Sequence, residues 1–145
     1  MRKPFSDTEK SCIIFIILMS FIILLFAIPS IVSVIQFHYA VDLLQDGEYE
    51  KAKHIFDGIP PEQGFFVSDH EWYKKCSKRE QNAIYLSEYA YARACGAKGD
   101  FEAADRILCV AHFLYGDYHG PLADELEAYK KEVQSAVKAA EAGTE

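Results

Sequence analysis

Cysteine and histidine have the greatest chemical reach in this chain, and only one pair is spaced for joint action. Cys109 and His112 stand three positions apart, so on a helix they share a face. A structural zinc site needs four ligands, and no second paired motif accompanies them. The pair therefore reads as a small buried thiol beside a hydrogen-bonded imidazole, the usual setting of an unoxidised cysteine in a helical core. His54, His70 and His119 stand alone. There is no Gly-rich phosphate loop, no nucleophile elbow built around a serine, and no pair of carboxylates framing a cleft. Asp100 and Glu102 fall at a helix start, where acids complement the dipole. The chain is thus expected not to be an enzyme and to carry no metal or cofactor. Catalysis through Cys109 or His112 ranks third among the functional readings.

What must position these residues is a chain of two unlike parts. Of its 145 residues, 50% are hydrophobic and 26% charged, with a net charge of −7. Yet no Asp, Glu, Lys or Arg occurs from Ser11 to Val41. Residues 12–37 form an apolar run broken only by Ser20, Ser30, Ser33 and Gln36. As a helix this run is about 39 Å long, against about 30 Å of bilayer hydrocarbon. It shows no polar stripe, which a core helix of that length would need. A cleaved leader would carry about 7 to 15 apolar residues before a small-x-small site; here the run passes Pro29 and continues to Phe37. An uncleaved single-pass anchor is the expectation, with Pro29 placing a kink in it. Arg2, Lys3 and Lys10 precede the run, while Lys51 and Lys53 follow it, which puts the N-terminus in the cytoplasm and the rest of the chain outside. Cys76, Cys95 and Cys109, an odd number outside the run, pull the other way by suiting reduced thiols. Beyond residue 11 the chain carries a net −8, which excludes the basic face of a nucleic-acid binder.

After the apolar run the pattern is helical throughout. A first helix continues from the anchor to Gln45 and stops at Asp46-Gly47; Glu48 to Asp57 form a second, ended by Gly58 and Pro60-Pro61. Residues 63–77 read as a loop with one helical turn, carrying Phe65, Phe66, Val67, Trp72 and Tyr73. Helices are expected over Glu80 to Ala97 and Asp100 to Tyr115, followed by a turn, with Pro121 opening a last helix. In that helix Leu122, Leu126, Tyr129, Val133, Val137 and Ala140 make one apolar stripe. Nothing alternates with period two, so no sheet is expected.

The chain also repeats itself at an offset of 52 residues. Tyr39-Ala40 matches Tyr91-Ala92, Gly47-Glu48-Tyr49-Glu50 matches Gly99-Asp100-Phe101-Glu102, Ala52 matches Ala104, and Phe56 matches Leu108. The order of types is that of a helical hairpin: a small residue for close approach, a glycine to turn, an aromatic to plug the angle, an alanine at the crossing. In these residues, over about residues 36 to 118, the chain resembles the tetratricopeptide repeat (TPR) family, in the degenerate form found in membrane-anchored bacterial proteins. The family spaces its repeats by about 34 residues; the excess here falls in the insert that begins at Pro60. The resemblance implies an all-α fold of the α-α superhelix type: an N-terminal tail (1–11), a transmembrane helix (12–37), two TPR-like hairpins (38–118) with an aromatic insert (60–77), and a C-terminal capping helix and tail (119–145).

The resemblance also implies ligand contact from the inner face of each first helix, here Phe37, Val41 and Leu44, then Leu86, Tyr89 and Arg93. Arg93 is the one cation of that set and suits a peptide carboxylate. Around the first helix, Tyr39, Ala40 and Leu43 face the hairpin, while Phe37, Val41 and Leu44 occupy a neighbouring face. Together they span about 200°, twice the arc one packing surface needs. Phe65, Phe66, Trp72 and Tyr73 make a second candidate, either a membrane-surface contact or a lid over the hairpins. The function expected is a protein-interaction or scaffold module held at the bilayer by residues 12–37, with an unidentified protein or peptide partner and no nucleic acid. The alternative is a small structural subunit of a membrane complex that associates through the span itself.

Overall fold

The computed structural model describes residues 7–61 and 69–142, and every regular element in them is an α-helix. In chain order these are α1 (Asp7–Gln45), α2 (Tyr49–Asp57), α3 (Asp69–Lys75), α4 (Lys78–Ala97), α5 (Phe101–Tyr115) and α6 (Ala123–Ala142). No strand occurs among the described residues. The chain divides after Ile35 into two units. The first consists of most of α1, which runs as a helix through Pro29. A stretch of 34 residues in α1, Cys12–Gln45, is long and apolar enough to cross a membrane, with a mean hydropathy of 3.1 and no burial in its most apolar window.

The second unit is built on two helix–turn–helix corners of the same geometry. Gly47 and Gly99 both adopt positive φ, +82° and +83°, a conformation cheap only for glycine. At the first corner Glu48 N donates to Leu43 O at 2.9 Å; at the second Asp100 N donates to Cys95 O at 3.0 Å. These bonds satisfy the carbonyls a helix end leaves open, and they recur at the 52-residue offset seen in the sequence. Ala40, Ala52, Ala92 and Ala104 are all fully buried, so methyl-sized side chains let the helices of each corner close on one another. Phe56 and Leu108, equivalent by the same offset, fill the core beside them. Each such side chain contributes about 1.5 to 3 kcal/mol by leaving water. α4 packs against both α2 and α5, and α6 lies against α5 and buries its own Leu126, Tyr129 and Val133.

Three details differ from the sequence reading. First, residues 63–77 carry more than one turn, since α3 spans Asp69–Lys75. It is held by Gln81 Nε2, which donates to Tyr73 O and Cys76 O, both at 3.1 Å, and by His70 Nδ1 against Leu114 O at 3.0 Å. Second, α4 begins at Lys78 because Ser77 and Glu80 form a capping box. Ser77 N donates to Glu80 Oε2 at 2.6 Å, and Glu80 N donates to Ser77 Oγ at 3.4 Å. Third, Pro121 precedes the last helix without opening it: Leu122 takes φ +65°, a left-handed turn that no α-helix can include, and α6 starts at Ala123.

Candidate functional site

The face expected to receive a partner is largely core. Phe37, Leu44, Leu86 and Tyr89 are buried, and Val41 is half-buried against the same cluster. Phe37 meets Phe56 edge to face with ring centroids 5.8 Å apart. The register of α1 explains this: Phe37, Ala40 and Leu44, at steps of three and four, turn inward, and Tyr39 is left 55% exposed. Tyr91, its counterpart at the offset, is also exposed. These four buried residues thus have no surface to offer a peptide, and they serve the packing of the corners.

Arg93 occupies a box of tyrosines. Its guanidinium carbon lies 5.0 Å from the Tyr49 ring centroid, 5.9 Å from that of Tyr89 and 4.7 Å from that of Tyr129, within cation–π range of each. Arg93 Nη2 donates to Tyr49 Oη at 2.6 Å, and Nη1 donates to Tyr89 Oη at 3.1 Å. Tyr129 Oη turns away and donates to Ala92 O at 3.0 Å. Burial pushes the Tyr129 phenol up to about 12 and raises that of Tyr89, so both stay neutral at physiological pH. The side chain expected to reach a ligand carboxylate instead ties α2, α4 and α6 together.

The aromatic insert is only partly visible. Phe65 and Phe66 lie outside the described residues. Trp72 and Tyr73 are half-buried on α3, and Tyr73 lies against Tyr115 of α5 with centroids 4.8 Å apart. The Cys109 and His112 reading also changes. Both are exposed; His112 Nδ1 lies 3.3 Å from Asp117 Oδ1, and Cys109 Sγ approaches Asp105. The buried thiol is Cys76. Among the described residues no group of three or more His, Cys, Asp or Glu side chains could hold a metal ion.

What sequence reasoning missed is the outer face of α5. Val110 is 55% exposed and Phe113 85%, the most exposed large apolar side chain among the described residues. They stand three apart on one face, with half-buried Ile107 and Leu114 at its border. The signal was present: Ile107, Leu108, Val110, Ala111, Phe113 and Leu114 cover far more of the helix circumference than packing on α4 and α6 uses. No family model, curated protein or solved structure matches the chain.

Proposed function

We propose that the protein is a single-pass, membrane-tethered interaction module of TPR-like helical hairpins, with its N-terminus cytoplasmic and its hairpin domain on the other side. The observation that carries the reading is the stretch Cys12–Gln45, long enough to fit a bilayer and unburied across its most apolar window. A partner-binding role for the hairpins draws support from α5, where Val110 and Phe113 leave apolar area exposed that the fold itself does not use. Tethering acts through local concentration, since a module fixed to a membrane meets membrane partners at an effective concentration set by the tether. No chemistry is required of it.

The test has two parts. Membranes from expressing cells are washed with alkaline carbonate; the protein is expected to stay in the pellet and to leave it only with detergent. A photo-crosslinking residue at position 113 is then expected to capture a discrete neighbour, and Phe113→Asp with Val110→Ser to abolish its co-purification without moving the unfolding midpoint. Release by carbonate refutes the anchor. Capture that survives the α5 variants, yet is lost when the span is shuffled at constant hydropathy, moves the interface into the bilayer.

A further inference from the structure

An open groove of about 430 Å³ lies between the last turns of α1 and α2, with every lining residue in the second unit. Tyr39 and Leu43 line it from α1, and Glu50, Lys51, His54 and Ile55 from α2. Their spacing explains it, since residues three or four apart stack on one face of a helix. Leu43 and Ile55 are half-buried against the core, which makes the floor apolar. Tyr39 is an aromatic ring that the fold leaves uncovered.

The position of this groove in the chain decides what meets it. Residues 11–41 carry no Asp, Glu, Lys or Arg. As a helix they measure about 46 Å, close to the 40 to 45 Å of a bilayer with its headgroups and well beyond about 30 Å of hydrocarbon. The uncharged stretch therefore ends at headgroup level, and Tyr39 belongs to it. Leu43 follows that end by two residues, a reach of about 7 Å at most. Tyrosine suits this layer, with a ring for the acyl boundary and a hydroxyl for water. The rim carries both signs in balance: Lys51 Nζ lies 3.0 Å from Glu48 Oε2, and Lys98 Nζ 2.8 Å from Glu50 Oε1. Such a rim accepts a zwitterionic headgroup and gives no preference to an anionic one. A soluble peptide would have to compete there with a lipid surface that the tether never leaves.

We propose that this groove seats a zwitterionic phospholipid of the leaflet next to the hairpin domain and so holds the first corner against the bilayer surface. The upper methylenes of an acyl chain lie on Leu43 and Ile55, and Tyr39 flanks the glycerol. The phosphate accepts from Lys51, whose exposed pair with Glu48 is weak and whose ammonium has donors to spare. The inference rests on the membrane-tethered reading above and is independent of the α5 face.

The full-length chain is reconstituted in vesicles of equal parts phosphatidylcholine and phosphatidylglycerol, with photo-reactive benzoylphenylalanine at position 24, 54 or 113, and its adducts are identified by mass. Position 24 lies in the apolar run, 54 in the groove and 113 on α5; all three side chains are exposed, so the probe displaces no core residue. Phospholipid adducts are expected at 24 and 54 and not at 113, with the two lipids captured at 54 in proportion to their abundance. Tyr39→Ser removes an exposed ring and leaves the core untouched. It is expected to lower the adduct at 54 about fivefold or more, the scale of one aromatic ring's burial, and to leave that at 24 unchanged. Lipid at 24 without lipid at 54 overturns the seat and leaves the anchor standing, whereas no lipid at 24 overturns the anchor and the seat with it. The seat is also overturned by an adduct at 113 as abundant as at 54, by capture of the anionic lipid alone, or by a Tyr39→Ser protein that crosslinks at 54 as before. In native membranes, a protein adduct at 54 in place of lipid does the same.

Discussion

Gly96 offers a test in which the sign of a stability change depends on one oxygen atom. In the last turn of α4 an alanine ordinarily improves on glycine by about 1 kcal/mol. At Gly96, however, an added Cβ overlaps Tyr129 Oη and lies 3.3 Å from Cζ of the same ring. The ring must withdraw, breaking the 3.0 Å bond from Tyr129 Oη to Ala92 O and loosening the face that Arg93 stacks on at 4.7 Å. The lost hydrogen bond costs about 1 kcal/mol and the forced repacking about 1 to 3 kcal/mol. Against the helix gain, Gly96→Ala is therefore expected to destabilise by about 1 to 3 kcal/mol. Tyr129→Phe removes the overlapping oxygen at a cost of about 1 kcal/mol, and on that background Gly96→Ala is expected to be neutral or stabilising by up to about 1 kcal/mol. Urea unfolding of the four proteins, followed by Trp72 emission in micelles, measures the cycle. A single Gly96→Ala variant as stable as the parent would refute the packing described here, and so would two substitutions whose effects merely add.

Other outcomes follow from the same geometry. Ser77→Ala removes one half of the α4 capping box and is expected to cost about 1 kcal/mol in the same urea assay, with no loss expected if the box does not form in solution. Cys109 is exposed, while Cys76 is buried with its thiol pushed up by burial and by the nearby Glu80. A maleimide is thus expected to modify Cys109 in the native protein and Cys76 only after denaturation. In a variant retaining Cys109 alone, an impermeant reagent labels intact cells if the domain is outside; labelling that needs lysis reverses the orientation. Glu88 is raised above the ordinary 4.5 by burial, with Lys53 opposing and Asp57 adding to the shift. Because its folded value is the higher one, the unfolded state loses its proton first as pH rises, and Glu88 weighs against the fold above 4.5. Glu88→Gln is therefore expected to raise the urea midpoint relative to the parent at pH 7 and to lose that advantage near pH 4; a difference independent of pH contradicts the assignment.

The two corners were legible in the sequence because glycine, alanine and aromatic positions each answer to a local demand: positive φ at Gly47 and Gly99, close approach at Ala40, Ala52, Ala92 and Ala104. The apolar stripe of α6 was legible for the same reason, through Leu126, Tyr129 and Val133. Which way a wide apolar arc turns was not. The family resemblance puts Phe37, Leu44, Leu86 and Tyr89 on a ligand face, but helix periodicity fixes only which residues share a side, and burial is decided by the partner helix. Arg93 shows a related limit. Its three tyrosines lie 44, 4 and 36 positions away in the chain, so no local pattern announces the box. The capping box at Ser77 and Glu80 was a local signal that went unread.

Arg93 also gives the domain an unusual kind of rivet. Most junctions that use a cation close it with a carboxylate, and they weaken when acid protonates that partner or brine screens it. Here the three helices meet on phenol rings and hydroxyls, with no carboxylate partner for acid to neutralise. Peripheral ion pairs such as Lys51 with Glu48 or Lys98 with Glu50 can dissolve with the ionic weather outside. The junction of α2, α4 and α6 stays indifferent to it, as suits a fold whose surroundings are not its own to regulate.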